Sequence, residues 1–384
     1  MAKYKLGDIC TIVSGSTPKT GIEEYWKGNL KWITPAEIEE DTYIISDSER
    51  KITELAVKKT GLSSFPKGTV ILSSRAPIGK VAIAGCEMYC NQGFKNLICS
   101  EKINNKYLYW FLKRNTKYLN SLGRGATFKE ISKTIVSEIE INLPEYRKQE
   151  EIANELEKIN KIIGCRKQEL KLFEDLVKAR FIELFGLPGT DEKGWGLRTL
   201  GECCELNPRK ALDKRLISGM QVSFVPMTAI SENGVIKTSE KKDYDEVKVG
   251  FTYFAENDVL FAKITPCMEN GKGAVAVGLC NGIGFGSTEF HVLRPLAGRS
   301  NPYWLYSLTA FDTFRKDAAA NMTGSAGQRR VPSIFLEKYK IALPPLELQN
   351  QFATFVTQVN KSKLPQELCT ILQENPLYKL VKIL

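Results

Sequence analysis

The sequence contains one histidine in 384 residues and no apolar run long enough to span a bilayer. Histidine is the commonest general base and metal ligand near neutral pH, so a single copy leaves little material for such a site. This residue, His291, lies in the apolar stretch EFHVLRP, where a packed side chain is the expected role. The N-terminal residues MAKYKLGDIC lack the apolar core of a signal peptide. These absences favour a cytoplasmic protein and argue against a histidine-based enzyme.

Cysteine pairs with metal-binding spacing are also missing. The ten cysteines are scattered, and Cys86, Cys90 and Cys99 have neither a CxxC pair nor a nearby histidine. We therefore expect no metal site. In a chain without an export signal, such thiols are expected to be reduced.

The net charge of +10 is unevenly distributed. Residues 1–144 carry 21 lysines and arginines against 15 acidic residues, and residues 187–343 carry 20 against 17. Residues 145–186 carry nine of each, as expected for the surface of a coiled coil. The basic excess lies in the two flanking blocks, which favours a polyanionic partner slightly over a role in solubility alone.

The stretch between Pro144 and Gly186 predicts one long helix. Its apolar residues are spaced four and three apart, with Arg166 and Arg180 interrupting the stripe. This spacing is typical of a coiled-coil seam, and about 40 residues at 1.5 Å each make a rod of roughly 60 Å. Residues predicted to form the seam and to dock other subunits, here and in a second helix, are Ile152, Leu156, Ile159, Ile163, Leu170, Phe173, Val177, Leu184, Phe352, Val356 and Val359.

The chain is an internal duplication. Shifted by 200 residues, the segment 125–153 aligns with 325–353 without a gap, and Gln149 recurs as Gln349. Strands are predicted at 68–74, 80–84 and 136–143 in the first copy, and at 257–263, 273–277 and 336–343 in the second. Helices are predicted at 104–121 and 301–316, with Asn104 and Asn301 as N-caps. The expected fold class is α+β, with two tandem α/β blocks separated by long helices.

Two short motifs invite an enzymatic interpretation. The stretch Asn301-Pro302-Tyr303-Trp304 is similar to the catalytic loop of adenine methyltransferases, but it lacks one proline and aligns with a plain helix start in copy one. The GIGFG at 282–286 opens no βαβ unit, so a turn is the better interpretation. We expect no catalytic residues in this chain.

Polar and basic residues recur at matching loops of both copies. Arginine and lysine can pair with guanine edges, asparagine and glutamine with adenine, and all can hold phosphate. The candidate DNA-binding residues of the first copy are Arg75, Lys80, Asn91, Gln92, Lys95, Arg124, Thr127 and Lys129. Those of the second are Lys263, Asn270, Lys272, Ser287, Thr288, Gln328, Arg329 and Arg330, with Glu289 beside them.

The phrases NQGFKNL, GATFKEISKTIVSEIEINLP and DVLFAKITPCMENGKGAVAVG resemble the specificity (S) subunit of type I restriction–modification enzymes. The resemblance implies two target recognition domains that each read half of a bipartite site in double-stranded DNA. It also implies two antiparallel helices that dock methyltransferase subunits, two in number, and through them the restriction subunits. The S subunit would do no chemistry, so S-adenosylmethionine, ATP and Mg are expected on the partner subunits, and no membrane partner is expected.

The expected boundaries are a first target recognition domain at 1–144, a coiled-coil helix at 145–186, a second domain at 187–344, a shortened helix at 345–363 and a divergent tail at 364–384. Pro365 predicts that the second helix ends after four or five turns. Phe173, Val177, Phe181 and Leu184 would then be partly unpaired, docking of the second methyltransferase subunit would be weaker, and a truncated or phase-altered allele is one hypothesis for the tail.

Two other classes of function stay open at this point. A coiled-coil assembly protein that binds other proteins would show no salt-sensitive affinity for DNA, whereas phosphate contacts make affinity fall with salt. A self-contained methyltransferase or nuclease would transfer methyl groups or cleave DNA without partners.

Overall fold

The computed structural model describes residues 2–75, 77–125, 129–237, 240–325 and 327–373. They form two compact units, the first built mainly from residues up to Cys165 and the second from Arg166 to Ile371. We call them unit 1 and unit 2.

The described residues of unit 1 form three sheets and the first half of a long helix. Its strands are β1 (Ala2–Lys5), β2 (Cys10–Ser14), β3 (Trp26–Ile33), β4 (Ile44–Ile45), β5 (Arg50–Ile52), β6 (Val70–Ser73), β7 (Val81–Ala84), β8 (Tyr89–Cys90), β9 (Phe94–Cys99) and β10 (Glu140–Leu143). Its helices are α1 (Leu6–Ile9), α2 (Glu54–Thr60), α3 (Asn105–Arg114), α4 (Thr116–Ser121), α5 (Lys133–Ser137) and α6 (Tyr146–Phe185), which continues into unit 2. The sheets have the strand orders β2-β9-β6-β7-β4, β5-β3-β8 and β1-β10.

Unit 2 repeats this plan. Its strands are β11 (Leu197–Thr199), β12 (Cys204–Leu206), β13 (Gln221–Val225), β14 (Glu240–Asp243), β15 (Thr252–Ala255), β16 (Val259–Ala262), β17 (Gly273–Val275), β18 (Ile283–Gly286), β19 (Phe290–Pro295) and β20 (Lys340–Ala342). Its helices are α7 (Tyr244–Val247), α8 (Pro302–Ala310), α9 (Asp312–Ala320), α10 (Ser333–Lys338) and α11 (Leu346–Gln373). The sheets are β12-β19-β16-β17, β14-β13-β18-β15 and β11-β20.

The strand pairing confirms the predicted duplication and the α+β class. The antiparallel ladder of β6 with β7 and β9 corresponds to that of β16 with β17 and β19. The parallel pair β3–β8 corresponds to β13–β18, and the closing pair β1–β10 corresponds to β11–β20. Each unit therefore presents the same loops at the same ends of its strands.

Two predicted elements differ from the structure at their starts. The strand predicted at 136–143 is strand only from Glu140, and the one predicted at 336–343 only from Lys340. The preceding residues form the short helices α5 and α10. The side chain of Ser132 accepts a hydrogen bond from the Ile135 amide and so caps α5, which outweighs the strand preference of its β-branched residues.

The predicted helices at 104–121 and 301–316 are each broken into two, and both predicted N-caps are confirmed. Asn104 accepts hydrogen bonds from the Lys106 and Tyr107 amides, and Asn301 accepts one from the Tyr303 amide. The Asn-Pro-Tyr-Trp motif is thus the first turn of α8.

Each unit is bonded to the start of a long helix, α6 in unit 1 and α11 in unit 2, through a buried glutamine of that helix. The Oε1 of Gln149 accepts from the Asn104 amide at 2.9 Å, and its Nε2 donates to the carbonyls of Lys102 and Pro144 at 3.0 Å each. Gln349 repeats the arrangement with the Asn301 amide at 2.8 Å and with the carbonyls of Arg299 and Pro344 at 2.9 Å each. Both side chains satisfy backbone groups that would otherwise be buried without a partner.

The apolar stripe of α6 is buried at both ends of the helix. Ile152 and Leu156 lie in the core of unit 1, and Val177 and Leu184 pack against the core of unit 2. Phe352, Val356 and Val359 of α11 are buried. The half-buried members between these ends are Ile159, Ile163, Leu170 and Phe173. Arg166 and Arg180, which interrupt the stripe, pair with Glu169 and Glu183 on the same helix.

The expectation of a shortened second helix is wrong. Helix α11 continues through Pro365 to Gln373, because a proline removes only one backbone donor and its cost, about 3 kcal/mol, does not stop the flanking residues from making their own hydrogen bonds. Phe181, expected to be partly unpaired, is 1% exposed. Its ring centroid lies 4.9 Å from that of Phe311 and 5.5 Å from that of Phe352.

Candidate nucleic-acid interface

In unit 1, backbone hydrogen bonds bring together three loops that carry candidate DNA-binding residues. The Ser74 amide, just after β6, donates to the Gly93 carbonyl at 2.7 Å, and the Ile131 amide donates to the Ser74 carbonyl at 2.9 Å. Arg75 and Arg124 both form β-bridges with Glu130. The loops after β6, before β9 and before α5 therefore form one surface, which we call patch 1.

Glu130 is the centre of patch 1, although no motif in the sequence marks it. Its Oε2 lies 2.9 Å from Arg75 Nε, and its Oε1 lies 3.3 Å from Lys95 Nζ. Burial works against ionisation, but the hydrogen bonds from Arg75 and Lys95 outweigh it and lower the pKa of Glu130. The Lys95 side chain is only 8% exposed and also donates to Ser74 Oγ, so Lys95 lies beneath the patch rather than on it.

Unit 2 builds the equivalent surface, patch 2, from the same backbone contacts. The Lys263 amide donates to the Glu289 carbonyl, the Val331 amide donates to the Lys263 carbonyl, each at 2.9 Å, and Ile264 forms a β-bridge with Arg330. Arg330 here takes the place of Glu130 and holds Glu289 by two parallel bonds, Nε to Oε2 at 2.9 Å and Nη2 to Oε1 at 2.8 Å. This pairing lowers the pKa of Glu289, whereas burial lowers the pKa of Lys263.

His291 takes the place of Lys95 in patch 2. Its Nε2 lies 2.8 Å from the Val331 carbonyl, and its Nδ1 lies beside the Asn207 side chain. Burial lowers its pKa, so the imidazole is neutral at pH 7. The structure thus places His291 as a packed, hydrogen-bonded side chain, as the sequence predicts.

Two of the predicted lysines are tied to the protein backbone. Lys80 Nζ donates to the Pro35 carbonyl at 2.9 Å, and Lys272 Nζ donates to the Met227 carbonyl at 3.5 Å. Both carbonyls belong to a short 3-10 turn that follows an equivalent strand, β3 or β13. These lysines hold that turn beside the patch, a role that the sequence alone does not reveal.

The tip of each patch is a side-chain-capped turn. Asn91 Oδ1 accepts from the Gly93 amide at 2.9 Å, and Ser287 Oγ accepts from the Glu289 amide at 3.2 Å. Gln92 follows Asn91 and Thr288 follows Ser287, and both side chains are exposed at equivalent positions before β9 and β19. Gln92 also accepts a hydrogen bond from the Thr17 hydroxyl at 2.5 Å. Gln92 and Thr288 therefore project from turns whose backbone is held by side-chain hydrogen bonds.

The other predicted residues surround these tips or lie apart from them. Arg124, Lys129, Gln328 and Arg329 are exposed on the loops of their patches. Arg329 Nη2 lies 4.0 Å from Glu269 Oε1. Asn270 instead lines a cavity beside α8, and Thr127 lies outside the described residues.

No group of three or more His, Cys, Asp or Glu side chains among the described residues could hold a metal ion. In the same part of the chain, no helix is long and apolar enough to cross a membrane.

The comparisons with known proteins decide the family. The family model for the type I restriction modification DNA specificity domain matches residues 1–172 and again residues 192–370. The chain belongs to the type I restriction–modification DNA specificity family. Members of this family are the specificity subunits of type I restriction enzymes, which are not themselves catalytic.

Individual relatives agree with this assignment. The MjaIX specificity subunit of Methanocaldococcus jannaschii is 30% identical over 381 residues, which cover 92% of this chain and 85% of that protein. The EcoAI specificity subunit of Escherichia coli is 39% identical over 188 residues, covering 49% of this chain but 30% of that protein. The S subunit structure from M. genitalium matches the fold with a TM-score of 0.58 at 15% identity, covering 99% of this chain and 95% of that chain.

Proposed function

We propose that patches 1 and 2 are the DNA-reading surfaces of this specificity subunit and that each reads one half of a bipartite site. The observation that carries the proposal is the recurrence of one backbone framework, Arg75–Glu130 in unit 1 and Ile264–Arg330 in unit 2, under different side chains. A common framework with different functional groups is what two readers of unlike half-sites require.

Within each patch the residues would divide the work. The exposed tips Gln92 and Thr288 are placed to contact base edges, because both project from capped turns. Arg124 and Lys129 in patch 1, and Arg329 in patch 2, are exposed cations suited to phosphate. Arg75 and Arg330 are each held by a carboxylate, which fixes the direction of the guanidinium before DNA arrives.

The partners follow from the family. We infer that two methyltransferase subunits dock on the long helices, that restriction subunits join through that complex, and that S-adenosylmethionine, ATP and Mg are bound by those partners. This work belongs in the cytoplasm, where the DNA is. The seam residues of α6 already pack within the chain, so the docking face is better sought among its exposed leucines. Leu172 is 60% exposed and Leu176 47%, one helical turn apart.

Binding of the complex of this chain with its methyltransferase subunits to a duplex of its own target tests the proposal. Replacing Gln92 or Thr288 by alanine should relax discrimination at one half-site each, while Lys129→Ala should weaken binding to all sequences and flatten the salt dependence. Unchanged discrimination by both tip variants would remove Gln92 and Thr288 from the reading surface. Affinity without any dependence on salt would contradict DNA binding through the patches.

A further inference from the structure

Unit 2 contains a cavity of about 520 Å³ that no role described so far uses. It lies between α8, the loop 232–236 and the helices α6 and α11. Val177, Val275 and Val356 contribute apolar wall, and Tyr306 and Asn270 contribute polar groups. A volume of several hundred Å³ with an apolar lining and few polar groups is typical of small-molecule sites.

The equivalent space in unit 1 is filled by aromatic side chains of the chain itself. Tyr43 and Trp110 stack there with ring centroids 5.9 Å apart and an angle of 27° between the ring planes. Tyr109 meets Tyr43 edge-on at 4.8 Å. The two rings belong to the loop before β4 and to α3, whose counterparts in unit 2 border the cavity.

The helix caps fix the first part of this equivalence. Asn104 caps α3 and Asn301 caps α8 in the same way, and the backbone amide of each donates the same hydrogen bond to Oε1 of its buried glutamine. Six residues after the cap stands Trp110 in unit 1 and Ser307 in unit 2. Ser307 lines the cavity, so an indole is replaced there by a hydroxymethyl group.

Equal spacing from two equivalent strand ends gives the second part of the equivalence. The carbonyls of Ile33 and Val225 end equivalent parallel strands and accept equivalent backbone hydrogen bonds. Ten residues further along stands Tyr43 in unit 1 and Val235 in unit 2, and Val235 also lines the cavity. Two large aromatic side chains of unit 1 thus correspond to two small side chains of unit 2, and both small side chains line the cavity.

Tyr306 also lacks a hydrogen bond that its counterpart makes in unit 1. Its counterpart Tyr109 donates its hydroxyl hydrogen bond to the Thr42 carbonyl at 3.3 Å. Gly234 stands in the place of Thr42, and a Cβ on it would come within 2.4 Å of the Tyr306 hydroxyl. Within the described part of the chain the Tyr306 hydroxyl makes no hydrogen bond, so it is available to a ligand in the cavity.

We propose that this cavity binds a planar bicyclic aromatic small molecule of indole or purine size, in the space that Tyr43 and Trp110 fill in unit 1. The apolar valines would cover the ring faces, and the Tyr306 hydroxyl would bond a ring nitrogen. Such binding would be independent of DNA recognition by the patches.

Indole is the probe for a direct test with the full-length chain. Calorimetric titration should show one saturable site, and indole should raise the melting temperature by mass action. The double substitution V235Y with S307W restores the residues of unit 1, so it should raise the melting temperature without ligand and weaken indole binding by about tenfold or more. V249Y makes the same change as V235Y at a residue 77% exposed in unit 2 and should leave binding unchanged.

If the double variant does not fold, the smaller substitution S307L tests the same point, because partial filling of the cavity should weaken indole binding several-fold. Absence of saturable binding to the wild-type chain would overturn the proposal. So would indole affinity that survives both substitutions, since the probe would then sit elsewhere. A third outcome would overturn the proposal as well. If Tyr306 became protected from chemical modification only when methyltransferase subunits were added, and indole had no effect, the cavity would be assigned to a side chain of the partner.

Discussion

Glu130 and Arg330 occupy the same place in the two units and carry opposite charges. Each forms the β-bridge that closes its patch, and each is paired with a group of the opposite sign, Arg75 for Glu130 and Glu289 for Arg330. The partners come from different loops, because Arg75 follows β6 whereas Glu289 precedes β19. The two patches therefore present different donors and acceptors on one backbone framework, as the proposed reading of two unlike half-sites requires.

Removing one cation from one patch should affect one half-site. In the complex with methyltransferase subunits, Arg75→Ala should weaken binding to duplexes through the half read by unit 1, and Lys263→Ala through the half read by unit 2, because each unit closes its own patch. Competition between duplexes scrambled in one half at a time measures this. Equal loss on both halves would contradict the assignment, and unchanged binding by both variants would remove these residues from the interface.

The stability contributed by Glu289 should depend on pH. Its hydrogen bonds from Arg330 lower its pKa below the ordinary 4.5, so its contribution is present above that value and is lost as the pH falls through the folded-state pKa. Glu289→Gln should reduce the free energy of unfolding by about 1 kcal/mol or less at pH 7, since the pair is partly exposed, and by progressively less below pH 4.5. Urea unfolding across this range measures it, with exposed Glu246→Gln as the control.

Gln349 should contribute far more to stability than an exposed glutamine of the same helix. Gln349→Leu removes three hydrogen bonds and leaves the Asn301 amide and two carbonyls without a partner. We expect a loss of about 2–4 kcal/mol in the free energy of unfolding. Gln351→Leu, on the exposed side of α11, should cost about 0.5 kcal/mol or less. Equal effects in denaturant unfolding would contradict the fastening role.

The exposed leucines of α6 give a test of subunit docking. Leu172→Glu should abolish co-purification of the methyltransferase subunit, because a charge would enter the centre of an apolar contact. Leu187→Glu makes the same change at a residue 42% exposed beyond the end of α6 and should leave co-purification intact. Retention of the methyltransferase by the Leu172 variant would place the docking face elsewhere.

Features that depend on residues close together in the sequence were predictable. Asn104 and Asn301 were predictable as N-caps because a cap acts within three residues, and the duplication showed that Gln149 recurs as Gln349. The duplicated strand ladders were predictable for the same reason, since each strand and turn carries its own pattern.

Contacts between distant segments were not predictable in this way. Lys80 and Lys272 read as free cations, yet both reach a backbone carbonyl 45 residues away. Glu130 was overlooked because its importance depends on Arg75, which is 55 residues earlier in the chain. Pro365 predicts a helix end locally, but α11 continues past it.

We propose that each patch reads its own half of a split DNA site. Methylome sequencing of cells that express this chain with its methyltransferase subunits tests it most directly, with the wild-type chain compared with Gln92→Ala and Thr288→Ala. We expect a bipartite methylated motif that depends on this chain, relaxed in one half by the first substitution and in the other half by the second. A motif that stays unchanged in both variants, or methylation that does not depend on this chain, would contradict it.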